Sequence, residues 1–254
     1  MLEKVDLTLA LKKQEYKDQA HRLTPQLTLL QRACWEALIP VIIVFEGWDA
    51  SGKGTSINLL AQNMDPRGFR IHPIKGATPQ EKQMPWLWRF WLRIPNYGEV
   101  AIFDRSWYGR VLVERVEKLT PPDLWQKAYH EILEFEQTLA EDGYVIIKFF
   151  LHISKKEQKK RFKHLQQDPH QSWRVLPEDL EHHRKYNEYL VATEEMLAMT
   201  ESEWGPWTIV EATDRYWSWI KILSTVNRRL EESLIQKGKP IPQVIIEPNE
   251  EVQP

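Results

Sequence analysis

The chain has 254 residues, with 34 Lys+Arg against 36 Asp+Glu for a net charge of −2, 42% hydrophobic residues and 28% charged. Those proportions exclude disordered, collagen-like and membrane-embedded classes, and the near-neutral balance argues against a general nucleic-acid coat. Cys34 stands alone, which rules out an intramolecular disulfide; with no apolar run near the roughly 18 residues of a membrane span and no signal-peptide core at the start, one sizeable cytoplasmic domain is expected.

Residues 1–39 read as helical. Thr24 is the expected N-cap of a helix with Pro25 at its first position, placing Leu27, Leu30, Cys34 and Leu38 on one face, with Cys34 in the core. After Pro40 the run Val41–Phe45 is apolar, β-branched and too short for a helix, as a strand buried on both faces would be. Similar runs recur at Phe69–Ile74, Val100–Phe103, Tyr144–Leu151 and Trp207–Val210. Between them lie helical stretches, and two of these, opening at Thr78-Pro79-Gln80-Glu81 and Ser154-Lys155-Lys156-Glu157, fit the capping box. Trp86, Leu87, Trp88, Phe90 and Trp91 crowd one predicted helix and cannot all share one face; core packing is the expected fate of most of them. Five buried strands alternating with helices predict an α/β fold, a five-stranded parallel sheet with helices on both faces. From Lys239 onward the chain is proline-rich and acidic, an extended tail over 239–254.

The first strand runs into Gly47-Trp48-Asp49-Ala50-Ser51-Gly52-Lys53-Gly54-Thr55 and then an apolar helix. Gly47, Gly52 and Lys53 have the spacing of a P-loop, whose backbone N–H groups and helix start cradle phosphate. Ser51, Gly52, Gly54 and Thr55 are the further phosphate-binding candidates, with Lys53 expected as an exposed loop cation reaching phosphate oxygens. Gly54 stands where a hydroxyl usually follows the lysine, which weakens a magnesium role for Thr55. The strand Val100–Phe103 ends in Asp104-Arg105-Ser106-Trp107-Tyr108-Gly109-Arg110, and in a parallel sheet that end lies beside the loop. Asp49 and Asp104 are then two carboxylates for a magnesium ion, with Arg105 and Arg110 as a phosphate clamp. Lys155, Lys156, Lys159, Lys160, Arg161 and Lys163 form a basic run on one helix, either a solvated face or a groove for a polyanion. His182 and His183 lack i+4 metal partners and give no zinc site.

GWDASGKG followed by PWLWRFWLRIPNYGEVAIFDRSWYGRVLVERVE resembles the type-2 polyphosphate kinases, from about residue 10 to about 225, with wording closest to the branch that makes ADP from AMP. The resemblance implies a P-loop kinase-like three-layer sandwich, a single phosphotransferase domain over 1–238 and a helical lid over about 154–190. It also implies magnesium as cofactor and inorganic polyphosphate with AMP, ADP or ATP as partners, without nucleic acid or membrane, and is compatible with a homo-oligomer. Carried over, Asp49, Lys53, Asp104, Arg105 and Arg110 become the catalytic set, with Asp49 and Asp104 on the metal. Trp173 and Asp179 match the family's lid motif, with Arg174 at the position of the lysine after the tryptophan, while Gln171 and Leu176 replace a lysine and a serine, and Gly76-Ala77 stands for an Ala-Pro pair. The reaction expected is reversible transfer of a terminal phosphoryl group from polyphosphate to a nucleotide. Two alternatives stay open: an ATP-dependent nucleoside-monophosphate kinase of the thymidylate type, and a non-catalytic nucleotide- or phosphate-binding module.

Overall fold

Each apolar run becomes a strand with both faces covered. The computed structural model describes residues 2–244. In it β1 (Val41–Gly47), β2 (Phe69–Pro73), β3 (Val100–Asp104), β4 (Val145–His152) and β5 (Trp207–Glu211) form one sheet in the order β2-β3-β1-β4-β5, every pairing parallel. Val41 to Phe45 have no exposed surface, and burying each such side chain is worth about 1.5–3 kcal/mol.

The helices are α1 (Lys13–Glu36), α2 (Lys53–Gln62), α3 (Trp88–Trp91), α4 (Val113–Val116), α5 (Pro122–Glu141), α6 (Lys155–Gln167), α7 (Pro177–Arg184), α8 (Tyr186–Met199) and α9 (Arg215–Gln236). From β1 the chain passes through α2 toward the β2 edge; from β3 it passes through α5 toward β4, and from β4 through α6–α8 toward β5. Right-handed crossovers running in opposite directions set their helices on opposite faces, which gives three layers. α1 packs against α9, and α9 against α2. The direction reverses between β1 and β4, and at such a switch point a crevice opens at the carboxyl ends of the strands.

Several expectations change. Thr24 and Pro25 start no helix: α1 runs through them, with Pro25 inside, the Thr24 hydroxyl donating back to the Ala20 carbonyl at 2.8 Å, and Asn227 donating to the Leu23 carbonyl at 2.9 Å. Packing along α9 outweighs the hydrogen bond that a mid-helix proline removes. Before α1, residues 2–4 form a 3-10 turn and the chain then runs without regular structure to Lys12. The tryptophan-rich helix is reduced to the single turn α3, bracketed by Pro85 and Pro95; Phe90 is buried and Trp91 is exposed. Thr78 and Glu81 do make both bonds of the capping box, although only a 3-10 turn follows; Ser154 caps α6, but Glu157 turns its carboxylate to Arg161. Cys34 lies in the core, and burial pushes its thiol up to about 11. The expected tail begins without regular structure, and its residues 245–254 lie outside the described ones. No helix among the described residues is long and apolar enough to cross a membrane.

Candidate active site

At the end of β1, Gly47 adopts φ +137°, and a Cβ there would come within 2.5 Å of the Leu151 carbonyl oxygen, so only glycine lets β1 pass this close to β4. Trp48 turns inward: its indole Nε1 donates to His152 Nδ1 at 2.8 Å and its ring stacks on Tyr186 at 4.0 Å. Ala50 at φ +59° and Gly52 at φ +104° curl the loop into the start of α2, whose first turn has no side-chain cap. Its backbone N–H groups and the positive end of the helix dipole therefore face the crevice. Ser51 Oγ is buried with no hydrogen-bond partner among the described residues. Thr55 Oγ1 donates back to the Gly52 carbonyl at 2.8 Å, away from any metal role, and Gly54 is exposed.

Lys53 differs from expectation. It is only 9% exposed and is the first residue of α2; Nζ donates to the carbonyls of Gly47 at 2.8 Å and Trp48 at 3.0 Å. Burial lowers its pKa, against the pull of Asp49. The ammonium is held inside the loop rather than waving in solvent, because the curl leaves the Gly47 and Trp48 carbonyls facing Nζ while those of Ala50 and Ser51 face the opposite way, toward Arg161.

β3 pairs with β1 so that Asp104 lies opposite Phe45, one residue before Glu46. Arg105 sits at φ +63°, its N–H donating to the Phe45 carbonyl at 3.0 Å, and Nη2 reaches Asp49 Oδ1 at 2.9 Å. His182 Nδ1 lies 3.0 Å from Asp49 Oδ2. Burial alone would raise the Asp49 pKa; the His182 hydrogen bond and the charges of Lys53 and Arg105 outweigh it and hold the carboxyl well below the usual range. The same hydrogen bond raises the pKa of His182. Glu46 is buried, which pushes its carboxyl up to about 6, and it accepts the Ser106 hydroxyl at 2.8 Å. The carboxylate of Asp104 makes no hydrogen bond or ion pair among the described residues. Arg110 pairs with Glu114 at 2.7 Å and lies 4.9 Å over the Trp86 ring.

The α6–α8 segment closes over this cluster. Gln158 Nε2 donates to the Asp49 carbonyl at 3.0 Å, and His183 Nδ1 meets Gln158 Oε1 at 2.7 Å. Asp179 is buried and accepts the Leu176 N–H at 2.7 Å, capping α7; one carboxylate oxygen each from Asp179 and Asp49 and a His182 ring nitrogen lie within 4.8 Å of one another. A pocket of about 100 Å³ lies here, walled by Glu46, Asp49, Arg105, Gln158, His182 and Tyr189 among others.

The sequence pattern of the Polyphosphate kinase 2 (PPK2) family matches residues 10–238. The chain belongs to that family. Over 239 residues it is 39% identical to "Polyphosphate:AMP phosphotransferase" of Pseudomonas syringae pv. tomato, covering 94% of this chain and 48% of the relative. It thus spans about half the length of such curated relatives. A crystal structure from Pseudomonas aeruginosa PA01 assigned to polyphosphate kinase 2 superposes with a TM-score of 0.90 at 40% identity, over 92% of this chain and 50% of the other. Polyphosphate Kinase 2 from Arthrobacter aurescens TC1 superposes with a TM-score of 0.86 at 28% identity, over 97% and 89%. The parallel five-stranded architecture expected from the sequence is the fold of these polyphosphate kinase 2 structures.

Within this polyphosphate kinase 2 fold, Gly47, Asp49, Ser51, Gly52, Lys53, Asp104 and Arg105 converge at one sheet edge, as their strand positions require. Arg161 leaves the basic groove: its guanidinium donates to the carbonyls of Ala50 (3.0 Å), Ser51 (3.1 Å), Ala212 (2.7 Å) and Thr213 (3.0 Å). It braces the loop's outward-facing carbonyls, for which a planar fork of donors is suited and a solvated lysine is not. Lys155, Lys156, Lys159, Lys160 and Lys163 stay exposed, Lys160 with Glu157 3.5 Å away. Trp173 is 73% exposed and Arg174 bonds only Gln171 in its own turn, so in this conformation neither joins Asp179 at the cluster. His182 and Glu46 are the residues that the sequence reading missed. Asp179 and His182 are three apart, on one face of α7; Glu46 is a carboxylate ending an otherwise apolar strand just before Gly47. Both signals were present.

Proposed function

We propose that this chain moves the terminal phosphoryl group of inorganic polyphosphate to a nucleotide, with AMP the favoured acceptor and ADP a second one. One observation supports the reading above others: a phosphate loop with an unpartnered buried Ser51 hydroxyl opens onto Asp49, Asp104 and Arg105 in a member of the polyphosphate kinase 2 family. The acceptor's phosphate is already anionic at neutral pH, so no general base is required, and catalysis consists of alignment and charge cancellation. The donor's end phosphate lies over the α2 N-terminus. Lys53 exchanges its two carbonyl partners for phosphate oxygens, and Arg105 exchanges Asp49 for the transferring group. Arg110, released from Glu114, is the second fork. His182 and Gln158 keep the lid over the reactants and exclude water, so that transfer outruns hydrolysis.

The residues fit magnesium. Asp49 is kept ionised, the Asp104 carboxylate has no partner among the described residues, and hard oxygen donors are what this ion takes. When bound, magnesium supplies positive charge between two repelling phosphate groups. The exposed lysines of α6 at 155, 156, 159 and 160 are the nearest dense cations for the far end of a long chain. The deciding assay offers purified protein magnesium, AMP or ADP, and either long-chain polyphosphate or ATP as donor. ADP made from AMP and polyphosphate, with ATP a poor donor, is the expected result. Efficient transfer from ATP and none from polyphosphate assigns the site to a nucleoside-monophosphate kinase; no transfer from either makes it a binding module.

A further inference from the structure

β4 reads Val-Ile-Ile-Lys-Phe-Phe-Leu from Val145 to Leu151, and its lysine is an anomaly in an apolar strand. Lys148 has no exposed surface, and its ammonium donates to Glu136 Oε2 at 2.8 Å, to the Tyr108 hydroxyl at 3.0 Å and to the Thr200 carbonyl at 2.9 Å. All three of its hydrogens are used. Glu136, on α5, is equally buried; its Oε1 accepts the Trp107 indole at 3.0 Å and the Tyr108 hydroxyl at 2.6 Å. Burial beside this carboxylate pushes the Tyr108 phenol far up, so it stays a donor. Taking two ions out of water is costly, and an apolar set of the same volume is often at least as stable, so stability does not account for the pair.

What the pair holds is specific. Trp107 and Tyr108 open the 3-10 turn Trp107–Arg110, directly after Asp104 and Arg105. The chain between is already committed: Arg105 sits in the left-handed region, and Ser106 accepts the Tyr108 N–H at 3.3 Å while donating to Glu46. Apolar packing would retain two rings by volume alone and let them slide; hydrogen bonds to their polar tips fix both depth and rotation.

We propose that the Lys148–Glu136 pair is a positioning device, gripping Trp107 and Tyr108 so that the backbone before them aims Asp104 and Arg105 at the phosphate loop. The inference rests on the phosphoryl-transfer reading of that loop for its kinetic consequence, but its geometric consequence does not.

The test joins Lys148→Met to Glu136→Leu, removing both charges at similar volume, and adds Tyr108→Phe, which removes the one hydroxyl that both ions share. The double variant is expected to fold but to melt below wild type, because the Trp107 indole, the Tyr108 hydroxyl and the Thr200 carbonyl lose partners, with kcat down on the order of 10- to 100-fold and KM for polyphosphate changed less than about three-fold, as misplacement by an ångström or less would produce. Tyr108→Phe should follow with a smaller fall in kcat, roughly three- to ten-fold, at unchanged KM. A well-folded double variant with kcat within two-fold of wild type overturns the proposal. Should the double variant fail to fold, Tyr108→Phe decides: wild-type kcat overturns it, and a lower kcat at an unchanged melting temperature supports it. A crystal structure of the folded variant reads the geometry without any assay. There the 2.9 Å contact between Arg105 and Asp49 should lengthen; if wild type proves inactive with polyphosphate, that distance still decides the question.

Discussion

Two clusters of ions lie within the span of one strand pairing, and they are built on opposite terms. Around Lys148 and Glu136, side-chain exposure is 0% and each of the three ammonium hydrogens has a partner. Around Asp49, Arg105 is 49% exposed, and among the described residues the Asp104 carboxylate has no partner and Ser51 keeps a buried hydroxyl unpaired. A complete network resists change because every alternative costs a desolvated bond; an incomplete one can trade protein partners for ligand at little cost. The strand edge is therefore built to exchange partners and the interior to keep them. Polar satisfaction, more than burial, separates these two parts of the fold.

The contrast can be broken most severely at the loop. Lys53→Ala should lower kcat by on the order of 10²-fold or more, since in the proposed reaction the lysine meets charge that develops in transfer. Because Lys53 is buried against two carbonyls, a fall in melting temperature should accompany it, and calorimetry alongside turnover separates the two effects. Transfer within a few-fold of wild type would remove the loop from the mechanism. Next come Asp49→Asn and Asp104→Asn, each expected to lose most activity and to shift the magnesium titration. A normal titration in either variant makes that carboxylate structural. Only the Asp49 change should also free His182, which protection of α7 in hydrogen exchange would register.

pH sharpens the same distinction. His182 has its pKa raised by Asp49, so in magnesium-free protein the pair's contribution is full below the unfolded value near 6.5 and fades as pH rises through the higher folded value. Asp49, with its pKa depressed, stays charged across that window. The stability difference between wild type and His182→Gln, about 1–2 kcal/mol at pH 6 for a hydrogen bond to a charged group, should therefore shrink toward pH 8.5. A constant difference over that range would detach the histidine from Asp49. The smallest effect is expected on α6. Changing Lys155, Lys156, Lys159 and Lys160 to Gln should raise KM several-fold for long polyphosphate, less for short, with kcat nearly intact, because exposed cations act over a Debye length of roughly 8 Å. Arg161→Gln, one residue further along, should instead lower kcat at every chain length.

Much of this was legible in the sequence. The five strands followed from short β-branched runs, and their parallel order set the loop and Asp104 at one edge before any coordinate was known. What escaped were contacts made across the fold. Arg161 looked like one more cation of a basic run, because spacing on a helix says nothing about which carbonyls lie opposite. His182 is weighed in the sequence only as a zinc ligand, against partners on its own helix, whereas its hydrogen-bond partner, Asp49, is 133 residues away. Pro25 suggested a helix start by local rule, and tertiary packing overrode it. Lys53 was expected to be exposed because lysines usually are; the curl of the loop decided otherwise.

The four carbonyls held by Arg161 also limit how the enclosure can open. They belong to the phosphate loop and to the segment after β5, so the amino-terminal two turns of α6 are anchored to the sheet at two places. Parting His182 from Asp49 cannot proceed by swinging the whole of 154–190 as a door. Bending has to fall after the helix ends, where Asp168 turns extended and Pro169 follows. Under the proposed transfer reaction the piece that has to move is a short arm, the 172–174 turn and α7, pivoting on a fixed root, and the gap it would open lies beside the loop without disturbing the loop itself.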